Sequence, residues 1–515
     1  MLWIVLVRVY NKLNKIVILV LLLLSVAGTC DAQKLIEYAS GIGSRDPESA
    51  DIWVLYRGVK ARHEGMTLRS DSAHYNTREN SFTAFGHVKI QLSDTTFIYG
   101  DRLFYDGNTR IVDIWDDTVV LIDGGTQLLA NHITYERNRA TAYYTQWGYG
   151  FSGNRTLESR QGEYNSDLDE FFIYNEVVLT DTNMQLFTDT LIYNTKTEVA
   201  HFESPTYIYS DSSVIYSELG NYNTATRYAI SYRNSHVDNQ GKMIESDTLF
   251  YDDTERFGKA QGNVKIVDST NNITCTGFYG ETSQERCFSY VTGRALVLFV
   301  DEEGDSLFLH ADTVYVTTDS SNHLQTVRAN YKVKVYRRDA QAMCDSAFYS
   351  APDSLLSLYL NPVLWYEHYQ CVADTIELCH DTSGVRQAWL RSSCFAVQQV
   401  DVEKFNQLKG RQGIVYFAQG EPLYADVLGN AQMVYYITEG DSVENTALVG
   451  VNVGMGTDIR IYFDTTRAPS RVVAYDKPDL MTYPVSMLPE EWRRMKDFRW
   501  MASCRPRKPE DVFVW

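Results

Sequence analysis

A phrase of about 29 residues returns along this chain: a small or polar residue, an acid, then an apolar residue and a tyrosine two and four places on. It reads SDSAHY from Ser70 to Tyr75, GDRLFY from Gly100 to Tyr105, TDTLIY from Thr188 to Tyr193 and SDTLFY from Ser246 to Tyr251. Weaker copies run from Asn131 to Tyr135, Arg160 to Tyr164 and Glu218 to Tyr222. From Asp71 to Asp247 the steps are 30, 30, 29, 29, 29 and 29 residues. A period that steady means stacked, near-identical structural units, each burying its apolar face against its neighbours. Function must then be sought in the stack and not in one isolated site.

Each copy reads as two strands. The first carries the acidic phrase, and the second begins at a turn residue and alternates, as in GHVKI from Gly86 to Ile90 and GNVKI from Gly262 to Ile266. Successive side chains on a strand point to opposite faces. Val88 and Ile90, Leu103 and Tyr105, Ile133 and Tyr135, Leu191 and Tyr193, Leu249 and Tyr251, Val264 and Ile266, and Val314 and Val316 therefore share the apolar side of their rungs. Stacking lines these residues into one apolar strip, the candidate binding surface. Tyr suits the mouth of such a strip, its ring apolar and its hydroxyl wet; filling the core between sheets is the competing role for each position. The 36 Tyr and 22 Phe against 11 Pro favour pleated, half-buried strands, an all-β chain.

The repeated acid invites a catalytic reading, since paired carboxylates do acid and base work. An acid present once per rung is more economically a turn or edge residue that bonds backbone N–H groups and discourages edge pairing. The ten His are scattered without metal spacing, and no phosphate loop, H-E-x-x-H or nucleophile elbow occurs. No enzyme activity, cofactor or metal is expected. The net charge of −19 gives no electrostatic reason to approach nucleic acid.

Five segments follow. Residues 1–32 read as a signal peptide: Arg8, Lys12 and Lys15 precede the apolar run Ile16 to Val26, with cleavage expected after Ala32. A lipid on Cys30 is the alternative, but Thr29 fits a lipoprotein signal poorly. Repeats fill 33–235 and 236–399, late rungs 400–468, and a Pro-rich, basic segment 469–515. In the late part Val400 to Gln419 breaks the pattern. At the end a short helix is expected from Glu490 to Phe498, acids first and Arg493, Arg494 and Lys496 later, as the helix dipole prefers. The tail around it reads as solvated, with capping the stack or meeting an anionic partner as alternatives. Seven cysteines follow the cleavage site without C-x-x-C spacing; some pairing is open, and Cys344 and Cys371 lie nearly one repeat apart.

The acidic phrases ending at Tyr75, Tyr105, Tyr193, Tyr251 and Tyr349, the strands Gly86 to Ile90 and Gly262 to Ile266, and the closing YDKPDLMTYP from Tyr475 to Pro484 with LPEEWRRMKDFRW together resemble the OstA-like family, named for organic solvent tolerance. That family includes the periplasmic bridge protein of lipopolysaccharide transport and the periplasmic domain of the outer-membrane assembly protein. The resemblance implies an elongated, repeat-built β-jellyroll, an open V in which lipid A acyl chains lie between two sheets. It also implies a periplasmic location near the outer membrane, and partners of similar fold joined head to tail, including an outer-membrane assembly protein. The sequence left after the repeats is too short for that protein's barrel, which favours the bridge role. The rival architecture is a parallel β-helix of a carbohydrate-binding or adhesive surface protein, which also gives rungs of this length. An integral outer-membrane barrel, suggested by Phe513 and Trp515, is disfavoured by the prolines and charges from Pro506 to Asp511.

Overall fold

The structure is a computed structural model that describes residues 34–301, 304–381, 384–439 and 447–515. The expected signal peptide and Cys30 lie outside the described residues. The chain divides into two compact units, one of residues 1–179 with 194–196, the other of residues 180–193 with 197–515. In the first, strands Ile52–His63, Met66–Asn76, Ser81–Gln91, Thr96–Asp106, Ile111–Asp123 and Thr126–Glu136 follow one another, each pairing antiparallel with the next. The second repeats the scheme from Phe257–Asp268 to Ala340–Ser350 and again from Gly384–Gln399 to Ala447–Phe463, with short split strands between. The described strand pairs are antiparallel, so the parallel β-helix is not this fold. Val400 to Gln419, which looked irregular in sequence, forms the ordinary strand Phe405–Ala418.

Most long strands are bent in the middle. Between Val199 and Asp252 the bend interrupts the strands and exposes the plan. One ladder joins Thr206–Ser210, Val214–Ser217, Ser235–Asn239 and Lys242–Ser246. A second joins Val199–Phe202, Leu219–Asn223, Tyr228–Arg233 and Thr248–Asp252. The next strand, Phe257–Asp268, pairs with the last member of both. A rung is thus one strand that serves two ladders.

The bend is made by two consecutive left-handed residues, Gly86–His87 in one rung and Gly262–Asn263 in another. The glycine does not start the strand, as its turn chemistry suggested, but sits inside it, at a break in register between Phe85 and Val88 or between Gln261 and Val264. The acid of the preceding phrase closes the bend. Asp71 accepts from His87 Nδ1 at 2.7 Å, Glu218 from Asn234 at 2.8 Å and Asp247 from Asn263 at 2.9 Å. Arg160 and Glu176 make the same contact with the charges exchanged, at 2.8 Å. The acid is structural, as expected, but its partner is a side chain sixteen residues on. A Cβ on Gly86 would stand 2.5 Å from Asp71 Oδ2, and one on Gly262 would strike Asp247. Gly262→Ala is therefore expected to cost at least about 1–2 kcal/mol from left-handed strain alone, read as a lower denaturation midpoint. Asp247→Ala in the same chain should return only the part due to collision.

The C-terminal segment is not a solvated tail. From Pro484 to Trp515 it crosses the outer face of the strands before it, and buried amides hold it there. Gln407 Oε1 accepts from Met495 N at 2.9 Å while its Nε2 donates to the carbonyls of Trp492 and Arg493. Gln370 accepts from Met501 N at 2.7 Å and donates to the Arg499 carbonyl at 2.8 Å. Lys334 donates to the carbonyls of Cys504 and Val514, and Arg505 to Gln341 at 2.6 Å. Gln370, Gln407, Gln341 and Lys334 are all buried. Leu488 and Met495 join Phe395, Val397, Phe405, Val434 and Tyr436 in one apolar cluster. These bonds draw the backbone along the sheet, so helix persists only over Glu490–Arg493, less than half the expected length.

Candidate binding interior

All fourteen residues assigned to the apolar side are buried. Their exposures run from 0% for Ile90, Leu103, Ile133, Leu191 and Tyr193 to 5% for Val316; Val88, Tyr105, Tyr135, Leu249, Tyr251, Val264, Ile266 and Val314 lie between. Within the first unit the register brings Ala84, Leu103, Ile114 and Ile133 opposite one another in turn, and likewise Phe82, Tyr105, Val112, Tyr135 and Ala142. Within the second, Leu249, Ala260, Gly280, Val291 and Val314 do the same. Where the phrase is intact, large rings face aliphatic, small or other ring partners and the interior is filled.

The tyrosine hydroxyls are not at a wet mouth. Tyr135 meets Ser166 at 3.3 Å and Tyr193 meets Thr224 at 3.4 Å, each contact joining one rung to the turn of the next, 31 residues on. Tyr105 accepts from Arg137 at 3.0 Å and lies 2.6 Å from His63 Nδ1, while His63 Nε2 bonds the Lys34 carbonyl. Tyr251 accepts from Asn239 at 2.9 Å, a contact between the two ladders. Burial lifts the phenols of Tyr105, Tyr135 and Tyr251 above their ordinary range. The residue after each tyrosine shapes the turn: Asn165 Oδ1 accepts from the N–H groups of Asp167 and Leu168, and Asp252 Oδ1 from those of Thr254 and Glu255.

Open space appears where the phrase has lost its tyrosine. The row that holds Tyr349 continues as Leu356, Leu378, Ala388, Val415, Ala425 and Ile461. Beside it run Cys371, Ala396, Leu408, Met433 and Gly454. Aliphatic side chains have replaced the ring, and a cavity of about 330 Å³ remains, walled by Leu390, Leu408, Ile414, Val427, Met433 and their neighbours. Its rim is charged: Arg337 pairs with Asp339 at 3.0 Å, and Arg467 bridges Glu367 and Glu421. Tyr369, on the wall, carries a buried hydroxyl with no partner among the described residues, and burial pushes its phenol up to about 12. Cys371 and Cys394 also line the cavity, the Cys371 thiol likewise pushed up to about 12 by burial. The seven described cysteines are all free, Cys344 and Cys371 included. Sequence reasoning passed over Leu390, Leu408, Met433 and Tyr369; the disappearance of tyrosine after Tyr349 was the available signal.

Two overlapping stretches, residues 35–185 and 171–247, match the family model described as OstA-like protein. Together they span residues 35–247, less than half of the chain. The bends closed by Asp71 and Glu218 and the rung-to-rung contacts of Tyr135 and Tyr193 lie within the matched region, and rungs of similar build continue past it. Among solved structures the chain is similar to LptH of Pseudomonas aeruginosa, titled the LptA-homologous periplasmic component of the conserved lipopolysaccharide transport device. That similarity has 16% identity, covers 28% of this chain and 96% of that one, and has a TM-score of 0.22. No curated protein sequence matches the chain.

Proposed function

We propose that this chain is a non-enzymatic, periplasmic component of lipopolysaccharide transport. In this reading it takes lipid acyl chains into its apolar interior and passes them toward the outer membrane. The observation that carries the proposal is the apolar cavity inside rungs that continue an OstA-like stack. Exposing one acyl chain of a dozen carbons to water costs on the order of 10 kcal/mol, so a carrier must offer apolar walls. The cavity volume falls in the range of small-ligand sites, about 300–1,000 Å³. Within the cavity the Tyr369 hydroxyl is a donor for the ligand's ester or amide oxygens, and the charged rim suits a polar head.

Partner contact is supported by the ends of the chain's strand succession. The first strands, Glu37–Ala39 and Ile42–Arg45, are short and exposed. The last, Asp479–Tyr483, exposes Leu480 and Met481. Unpaired edges of this kind accept a further strand, which suits head-to-tail joining with similar folds.

A photo-crosslinking residue at Leu390, Leu408 or Met433 is expected to capture lipopolysaccharide in cells, and one at the exposed Tyr315 is not. Folded protein that gives no adduct at these positions, nor at Leu103, Leu191 or Leu249, would sink the proposal.

A further inference from the structure

We propose that the outer sheet face of the first unit docks on a membrane surface bearing anionic headgroups. The face is defined by register. Lys60, Arg69, Lys89, Tyr99, Val120, Leu129 and Tyr149 stand opposite one another on consecutive strands, in that order, with side chains directed away from the buried rows. The first three form an unbroken cationic line in a chain of net charge −19. Like charges directly opposite across strands repel and destabilise a sheet. Several other basic side chains of this unit have acids at hand: Lys34 and Arg110 lie on Glu64, Arg160 on Glu176, and Arg62 faces Glu37 across a strand. Lys60, Arg69 and Lys89 have no carboxylate within ion-pair distance among the described residues. An uncompensated cationic row calls for an anion from outside the chain.

The rest of the row says which kind. Tyr99, Val120, Leu129 and Tyr149 are half-buried or exposed on a face where solvated sheets carry polar residues, and Ile122 continues the patch in the next row. Lys89 lays its ammonium 4.9 Å from the Phe97 ring and 5.1 Å from Tyr99, so its stem covers the apolar strip while the charge stays at the surface. Cations bordering a strip of aromatic and branched aliphatic side chains complement a lipid surface: charge meets phosphate headgroups, and Tyr and Leu enter the interfacial layer. The patch belongs to the first unit alone and stands independently of the cavity.

The test is co-sedimentation of the chain from residue 33 onward with vesicles of phosphatidylcholine, alone or mixed with phosphatidylglycerol. Binding is expected on the mixed vesicles only, weakening as salt rises. The triple variant Lys60→Gln, Arg69→Gln, Lys89→Gln is expected to bind about 100-fold more weakly, since each basic residue near an anionic surface contributes roughly fivefold. Leu129→Asn should weaken binding while leaving the salt dependence in place. Equal binding to both vesicle types, unchanged binding by the triple variant, or displacement of the protein by inorganic phosphate would each overturn the proposal. The last would mark a site for a free anion, and an acidic protein captured without any vesicle binding would mark a protein surface.

Discussion

Replacing Tyr105 with Ala is expected to lower stability by about 3–5 kcal/mol, the range for removing a fully buried aromatic side chain. Tyr105 is 1% exposed and opposes Phe82 and Val112 in its row, so the lost ring leaves a cavity between rungs that are themselves tightly filled. Its hydroxyl also stands between Arg137 and His63, and His63 in turn ties down the Lys34 carbonyl. Tyr105→Phe keeps the ring and removes only that link, at a cost of about 1–3 kcal/mol, because the buried His63 Nδ1 is left without a partner while the half-buried Arg137 keeps its bond to the Glu64 carbonyl. Chemical denaturation of the two variants separates packing from hydrogen bonding. A Phe variant as unstable as the Ala variant would show that the link dominates, and an unperturbed Phe variant would show that water replaces it freely.

A chain ending at Tyr483 is expected to lose about 5 kcal/mol or more from its second unit. Leu488, Met495 and Val512 are all buried by the segment that would be removed, and each such side chain contributes about 1.5–3 kcal/mol. Met495→Ala alone should cost about 2–4 kcal/mol. The shortened chain would also uncover Phe395, Val397, Phe405 and Val434, and so should bind a hydrophobic dye and aggregate on warming. Melting at the same temperature as the full chain would mean that the segment is held loosely. The strands it covers also wall the cavity: Val397 and Gln407 lie against the segment and, with Ala396 and Leu408, border the space. Loss of the segment is therefore expected to reduce crosslinking at Leu408 as well.

The period and the inward parity were legible in sequence, because the alternation of a strand is fixed by backbone geometry and the phrase repeats it seven times. The role of the tyrosine hydroxyl was not. Ser166 and Thr224 follow Tyr135 and Tyr193 by 31 residues, a spacing visible in the chain, but only the bend of each rung shows that the two positions meet. Gly86 and Gly262 were recognised as special and placed at the wrong point, since glycine marks a left-handed residue equally well at a turn and within a bent strand. The cavity escaped for a different reason: a strong repeat draws attention to the positions that keep its pattern, and space opens where the pattern decays. The C-terminal segment was misjudged because its basic residues suggested solvent, whereas buried glutamines and Lys334, on strands far away in sequence, bond its backbone and Arg505.

The bend also limits how a chain like this can change in length. Several rungs pair an acid or its counterpart with a residue sixteen places on at the bend, and Tyr135 and Tyr193 each meet a turn residue 31 places on. Insertion of a whole copy satisfies both rules at both junctions. Insertion of a fraction breaks them on each side. Such proteins should therefore differ from one another by integral numbers of rungs, with odd lengths confined to the hairpin loops, and the distance that a lipid path can span would grow in equal steps.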